Sequence, residues 1–294
     1  MSIFKKKTVT TVEETVKVTT EETKKENSMD AVAPKSIGKL DMVIAFDTTG
    51  SMASYIGAVR QEVAELIPRL FKDNEDLRLG IVAFGDYCDM ENAHNFGNAY
   101  QCMPITNNEN DLIKFVKESK DTSGGDGDEF YELVIKKIVE ETQWRDGSTR
   151  SILLIADAEP HELGYTYSDY VIGNQIDWRI EAKKAANMKI KIDTVSICGR
   201  PWYKELSAMT NGISVPFRSS GKTGTLIETA TIARSAMAFA ESANSCDTKL
   251  MGSCIMRRAI DLKAKLSSMF AECDDEELND VFDSYTKEID KVAE

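Results

Sequence analysis

The chain has 294 residues, of which 42% are hydrophobic and 29% charged, and its formal net charge is −13. That length suits one large domain with additions or two small ones, and the composition can fill an ordinary core. The first 38 residues carry +1 and the remainder −14, a balance that repels phosphate backbones, argues against nonspecific nucleic-acid binding, and favours cations and basic surfaces as partners.

Residues 1–38 contain "KKKTVTTVEETVKVTTEETKKEN", a run built almost wholly from Lys, Thr, Val and Glu. It has too little apolar surface for a core and is expected to be a flexible arm. Its alternating Val16 and Val18 would also suit a strand donated to a sheet edge. From Lys39 the pattern changes. "LDMVIAF" is a continuous apolar run, expected to be a strand buried on both faces. Met52, Tyr55, Ile56, Val59, Val63, Leu66, Ile67 and Leu70 then recur at helical spacing. "LRLGIVAFGDY" reads as a second strand, and "AYQCMPIT" as a short edge strand limited by Pro104. "ENDLIKFVKES" and the stripe Phe130, Leu133, Val134, Ile138, Val139 read as helices. The strand "RSILLIADA", the helix "YVIGNQIDWRIEAKKAANM" and the strand "IKIDTVSIC" follow. After them come a helix "PWYKELSAMTNG" closed by Gly212, a short strand "ISVPF", and a helix "TLIETATIARSAMAFAES".

This alternation predicts a doubly wound α/β sheet, mostly parallel with one antiparallel edge strand, over residues 39–243. Residues 244–294 hold two amphipathic stripes, Ile255, Ala259, Leu262, Leu266, Met269 and Leu278, Val281, Phe282, Tyr285, Ile289, expected as a C-terminal helical hairpin docked on the main domain. Six scattered cysteines form no CxxC pair, and no apolar run approaches the roughly 18 residues of a membrane span. The expected setting is reducing and cytoplasmic, with no membrane association.

Ligands of doubly wound sheets sit beyond the carboxyl ends of the strands, which directs attention to the loops after Phe46, Phe84 and Ala156. The first begins "DTTGSM" and admits three chemistries. A phosphate cradle at "SSGKT" fails because the loop pattern needs glycine at position 216, where Pro216 stands without an N–H. A phosphoryl-transfer nucleophile at Asp47 is the second: "DTTGS" resembles the motif of haloacid-dehalogenase-like phosphatases and pump ATPases. There a second aspartate usually follows two residues on, and here that place is Thr49. The third is a metal seat. Asp47, Thr49 and Ser51 alternate, so one loop can turn three oxygens to one point, and hard cations take oxygen ligands. No general acid and base set accompanies them, so catalysis is not expected.

"VIAFDTTGSM" resembles the first strand and metal-ion-dependent adhesion site of von Willebrand factor A domains. "GIVAFGDYCD", the Gly-Gly-Asp loop "SGGDGDEF" and "DAEPH" resemble the intracellular branch that includes alpha-kinase-type proteins. The resemblance runs from about Lys39 to Ser242 and implies that Asp47, Thr49 and Ser51 hold Mg²⁺ or Mn²⁺. Asp126 and Asp157 would complete the site, Asp157 through water. Asp126 stands where many adhesion domains have Thr, which would leave three carboxylates and a formal −1 site around a divalent ion. In the family a partner's carboxylate fills the open position, so the implied function is metal-dependent protein binding, beside an ATPase or kinase. A scaffold with a purely structural ion is the further alternative. Asp86, Asp89, Glu129, Glu159 and His161 form an acidic rim that would favour a partner with Lys or Arg. Taken singly, each reads first as solvated loop polarity, and His161 as a surface histidine.

Overall fold

The computed structural model describes residues 38–92, 94–166, 175–217, 223–246, 249–270 and 276–294. The arm, residues 1–37, and residues 218–222, which hold most of "SSGKT", lie outside the described residues. Strand β1 (Leu40–Asp47) is buried at every residue. Its side chains alternate between two cores, as the two-residue strand period requires. Leu40, Met42, Ile44 and Phe46 enter one, and Val43 and Ala45 enter the other.

Five strands join β1 in one sheet: β2 (Leu77–Phe84), β3 (Tyr100–Thr106), β5 (Thr149–Ala156), β7 (Ile190–Ser196) and β8 (Ser214–Pro216). The spatial order is β3-β2-β1-β5-β7-β8, with only β3 antiparallel. Pro104 lies on that edge strand, where a missing N–H removes no central ladder bond, and the register slips between Leu79 and Ile81. Two short strands, β4 (Asp128–Glu129) and β6 (Glu159–Pro160), pair separately. The chain leaves β1 toward β2 on one side and returns as β5 on the other. The strand order therefore reverses beside the carboxyl end of β1, which opens a crevice there.

Helices α1 (Ile56–Asp73), α2 (Glu109–Glu118) and α6 (Thr223–Asn244) supply the first core. Helices α3 (Tyr131–Glu141), α4 (Trp178–Asn187) and α5 (Pro201–Met209) supply the second. Two sequence expectations are corrected. The helix expected from Tyr170 begins at Trp178, because the Asp177 carboxylate caps it by accepting from the Arg179 N–H; residues 167–174 lie outside the described residues. Gly212 does not supply the left-handed residue after α5. Asn211 does, with φ 54°. Gly212 is required for a different reason: a Cβ there would stand 2.0 Å from the Ile192 carbonyl oxygen.

The C-terminal stripes form α7 (Lys249–Phe270) and α8 (Glu276–Ala293). Leu262, Leu266, Val281, Tyr285 and Ile289 are buried in the first core, the four aliphatic ones each worth about 1.5–3 kcal/mol by area removed from water. No described helix is long and apolar enough to cross a membrane. A polar clamp fixes α8. Arg234 of α6 is fully buried and donates to both Asp193 oxygens at 2.6 and 2.9 Å and to Glu288 at 3.0 Å. Burial disfavours the Glu288 charge, but the Arg234 and Lys191 cations outweigh it and hold its carboxyl below the usual range.

Arg234→Met is expected to destabilise the fold by about 3–5 kcal/mol in urea titrations, because it strands Asp193 in the core. Combining it with Asp193→Leu should recover much of that loss. Glu288 has a depressed native pKa, so its contribution is complete above its ordinary value of 4.5 and is lost as pH falls through the lower native value. The acid limb of the stability curve should therefore flatten in Glu288→Gln.

Candidate metal centre

The loop after β1 is fastened before any side chain of the site is considered. The Thr48 N–H and hydroxyl both donate to the Phe84 carbonyl at 2.8 Å, which ties it to the end of β2. The Thr122 N–H donates to the Thr48 carbonyl at 2.9 Å, and the Gly50 N–H to the Ser123 carbonyl at 3.0 Å. The segment after α2 is thereby held across the loop. Gly124 continues that segment at φ +68°, and a Cβ there would meet Glu129 Oε1 at 2.8 Å and Thr49 Cβ at 3.2 Å. A glycine is needed for both the dihedral and the close approach.

On this frame Asp47 is fully buried. Its Oδ1 accepts from the Thr49 N–H and the Thr49 hydroxyl, each at 2.7 Å. Its Oδ2 accepts from the Tyr131 hydroxyl at 2.5 Å, and that hydroxyl accepts from the Ala158 N–H at 3.0 Å. The Ser51 hydroxyl donates to Asp157 Oδ1 at 2.9 Å. Thr49 Oγ1 and Ser51 Oγ stand 3.1 Å apart. While the two carboxylates are ionised, Thr49 donates to Asp47 and Ser51 to Asp157, so neither hydroxyl has a hydrogen left for the other. The two hydroxyl oxygens then turn lone pairs toward each other, and a cation between them would accept both. Adjacent ligands of an octahedral Mg²⁺ also lie about 3 Å apart, which matches the chain Asp47–Thr49–Ser51–Asp157. These four residues fit a hard divalent ion.

Asp126 is placed differently. It is exposed, and its oxygens accept from the Asp128 N–H at 3.1 Å and the Tyr165 hydroxyl at 3.2 Å. Among the described residues it makes no hydrogen bond to the four-residue chain. Its carboxylate instead comes within 4.8 Å of ligand atoms of Asp86 and His161, a group that could hold a metal. The remaining rim residues also depart from solvated polarity. Asp86, Glu129 and His161 are buried, while Asp89 and Glu159 are half-buried. Asp89 accepts from the Ser123 and Gly124 N–H groups at 2.8 and 3.1 Å and so anchors the glycine loop. Glu159 pairs with Arg200 at 3.1 Å.

The centre is short of positive charge. Burial lifts Asp47 to about 7, and the Asp157 charge adds to it against the hydrogen bonds of Tyr131 and Thr49. Burial, with the charges of Asp47 and Asp86, lifts Glu129 to about 10. Burial lifts Glu132 to about 8 despite its bond from the Tyr87 hydroxyl. Burial disfavours the His161 cation, yet the Asp86 hydrogen bond and charge prevail and raise its pKa. Sequence reasoning missed Tyr131, Glu132 and Tyr165. Tyr131 lies 84 positions from Asp47, and no motif spacing links the two.

The fold and this crevice define a doubly wound α/β domain with a hydroxyl and carboxylate loop at its switch point. The von Willebrand factor type A domain model matches residues 41–228, more than half of the chain, and the chain belongs to that family. Such domains are typically adhesion or protein-binding modules and are usually non-catalytic. Alpha-protein kinase vwkA of Dictyostelium discoideum is 28% identical over 128 residues, which cover 43% of this chain and 19% of the kinase. The chain thus spans about a fifth of that relative's length. Among solved structures, the pilus adhesin SpaC of Lactobacillus rhamnosus GG aligns with TM-score 0.50 at 12% identity, covering 69% of this chain and 30% of that one. The conserved hypothetical protein BatB of Bacteroides thetaiotaomicron aligns with TM-score 0.48 at 17% identity, covering 67% and 98%. At these identities the likeness is one of fold alone.

The raised carboxyl groups predict how metal-free protein responds to pH. Unfolded, Asp and Glu release their protons near pH 4. Folded, Asp47, Glu132 and Glu129 keep theirs to about 7, 8 and 10. The folded state then binds more protons, so stability falls as pH rises. In chelator, the urea midpoint should be lower at about pH 8.5 than at about pH 5.5, and Glu129→Gln should reduce that slope.

Proposed function

We propose that this domain is a divalent-cation-dependent protein-binding module. Asp47, Thr49 and Ser51 would hold Mg²⁺ or Mn²⁺, with Asp157 behind Ser51. The observation that carries this reading is the continuous run of oxygens Asp47 Oδ1, Thr49 Oγ1, Ser51 Oγ and Asp157 Oδ1 at 2.7, 3.1 and 2.9 Å, the spacing of adjacent ligands on one ion. When bound, the cation supplies an electrophilic position that a partner's Asp or Glu can fill. Asp47 supplies the central charge, and Tyr131 fixes its second oxygen. Thr48 and Thr122 hold the loop in register with its neighbours. With Asp126 turned toward Asp86 and His161, two carboxylates rather than three face the ion. Its formal charge balance is then neutral, which favours a partner carboxylate more than the −1 count does.

The same geometry weighs against the phosphohydrolase reading. A phosphatase nucleophile is usually followed two residues on by a second aspartate as acid and base, and that place is taken by Thr49, which only donates to Asp47. The kinase likeness is the ground for proposing work beside a kinase. Cys88, Cys102, Cys198 and Cys246 are free thiols, which supports a reducing, cytoplasmic setting.

Calorimetric titration should show one Mg²⁺ per chain, lost in Asp47→Asn. Tyr131→Phe keeps every ligand and should weaken affinity by about 10–100-fold through the loss of orientation. Metal binding unchanged in Asp47→Asn would overturn the assignment. Partner capture should fail in EDTA and in Ser51→Ala; capture that survives both would point to a scaffold with a structural ion. Metal-dependent turnover of a phosphate ester that disappears in Asp47→Asn would favour the hydrolase instead.

A further inference from the structure

We propose that Asp86, Asp126 and His161 form a second cation site, one that takes a divalent transition metal of the Zn²⁺ class rather than Mg²⁺. The residues come from three loops that the sequence keeps apart: after β2, before β4 and after β6. Their ligand atoms all lie within 4.8 Å of one another. An Asp–His pair alone accounts for the 2.8 Å contact between Asp86 Oδ1 and His161 Nε2. Asp86 also caps the short turn Tyr87–Asp89, and the two roles together still leave one of its oxygens unmatched. That residue is fully buried, and its Oδ2 has no hydrogen-bond partner. A buried carboxylate oxygen left without a donor is strongly unfavourable, and native interiors normally match such an atom with a donor or a metal.

The surroundings hold the donors rigidly. The His161 ring stacks on Tyr165 at 3.6 Å between centroids, and the Tyr165 hydroxyl donates to Asp126 Oδ2 at 3.2 Å. The His161 backbone N–H donates to Glu132 Oε2 at 3.2 Å and fixes the main chain there. Tyr165 thus packs the imidazole with its ring and holds the facing carboxylate with its hydroxyl, while the ring Nδ1 has no hydrogen-bond partner. The charge also points to a cation, since the buried Glu129 carries a further unpartnered oxygen and feels the charges of both Asp86 and Asp47.

The donor set selects the metal. Two carboxylates with one imidazole suit Zn²⁺ and its transition-metal neighbours, whereas Mg²⁺ seeks oxygen alone and keeps its waters. Three protein ligands leave coordination positions for water or for a partner's side chain. This site shares no residue with the Asp47 loop, and Glu129 lies in the electrostatic reach of both.

The chain has two histidines, His161 and the exposed His94, so the ¹⁵N-imidazole spectrum of the full chain reads the site directly. The protein is stripped with chelator, supplied with excess Mg²⁺ to occupy the Asp47 loop, and titrated with Zn²⁺. The expected result is a shift of the His161 nitrogens at one Zn²⁺ per chain that Mg²⁺ alone does not produce. Asp126→Asn, an exposed and nearly isosteric change, should weaken Zn²⁺ by about tenfold or more, and Asp47→Asn should leave the His161 shift intact. Because the readout is His161, failure of the Asp47 site would appear separately, as unchanged Mg²⁺ calorimetry in Asp47→Asn. Zn²⁺ uptake that leaves His161 unmoved would mean thiol binding and overturn the proposal. A His161 shift equal in wild type and Asp126→Asn, or produced equally by Mg²⁺, would also overturn it.

Discussion

Asp47 ends a strand that has no solvent-exposed residue, and it stands where the strand order reverses. A carboxylate in such a place loses its hydration, and the protein must replace that water with donors or a cation. Much of the carboxyl edge of the sheet serves this need. Thr49 returns both its N–H and its hydroxyl to one oxygen, and Tyr131 reaches the other from across the second core. These donors are neutral, and they leave Asp47 near 7. Dipoles alone do not restore the ordinary ionisation of the group, and a full positive charge would. A cation bound at this position would relieve that imbalance.

The same constraint explains why the neighbouring loops are fixed so firmly. A hydroxyl presents lone pairs to an ion only if its hydrogen is committed elsewhere and its backbone cannot drift. Thr48 bonds to the end of β2 and to Thr122, while Asp89 grips the Ser123 and Gly124 N–H groups. The acidic loop is therefore part of the same rigid edge. Within that edge the charged groups divide into two sets. Asp47 and Asp157 are joined through Thr49 and Ser51, whereas Asp86 and Asp126 gather round His161.

At the C-terminal helices the same physics has a different solution. Arg234 is as deeply buried as Asp47, but it meets Asp193 and Glu288 directly and needs no ion. Removing one member of such a cluster leaves an uncompensated charge, so the cluster fixes where α8 lies against β7. The apolar stripes of α7 and α8 supply the greater part of the adhesion. They do not by themselves specify the register, which the charged clamp does.

Local periodicity along the chain was enough to read the strands, the helices, the antiparallel edge and the Asp47–Thr49–Ser51 loop. Each is written in residues a few positions apart, where backbone geometry converts spacing into a shared face or a shared loop. Asp157 was legible for a related reason, since it follows a strand whose carboxyl end must lie beside that of β1. Tertiary packing decided the rest. Tyr131 meets Asp47 over 84 positions, His161 enters the interior against Asp86 over 75, and Arg234 finds Asp193 over 41. Asp126 was expected to complete the Asp47 site, whereas in the fold its hydrogen bonds go to Asp128 and Tyr165. Burial, and with it the pKa of Asp47, Glu129 and Glu132, is a property of the surrounding volume. A sequence fixes which groups can bond or carry charge, but only the folded chain fixes which of them lose their water together.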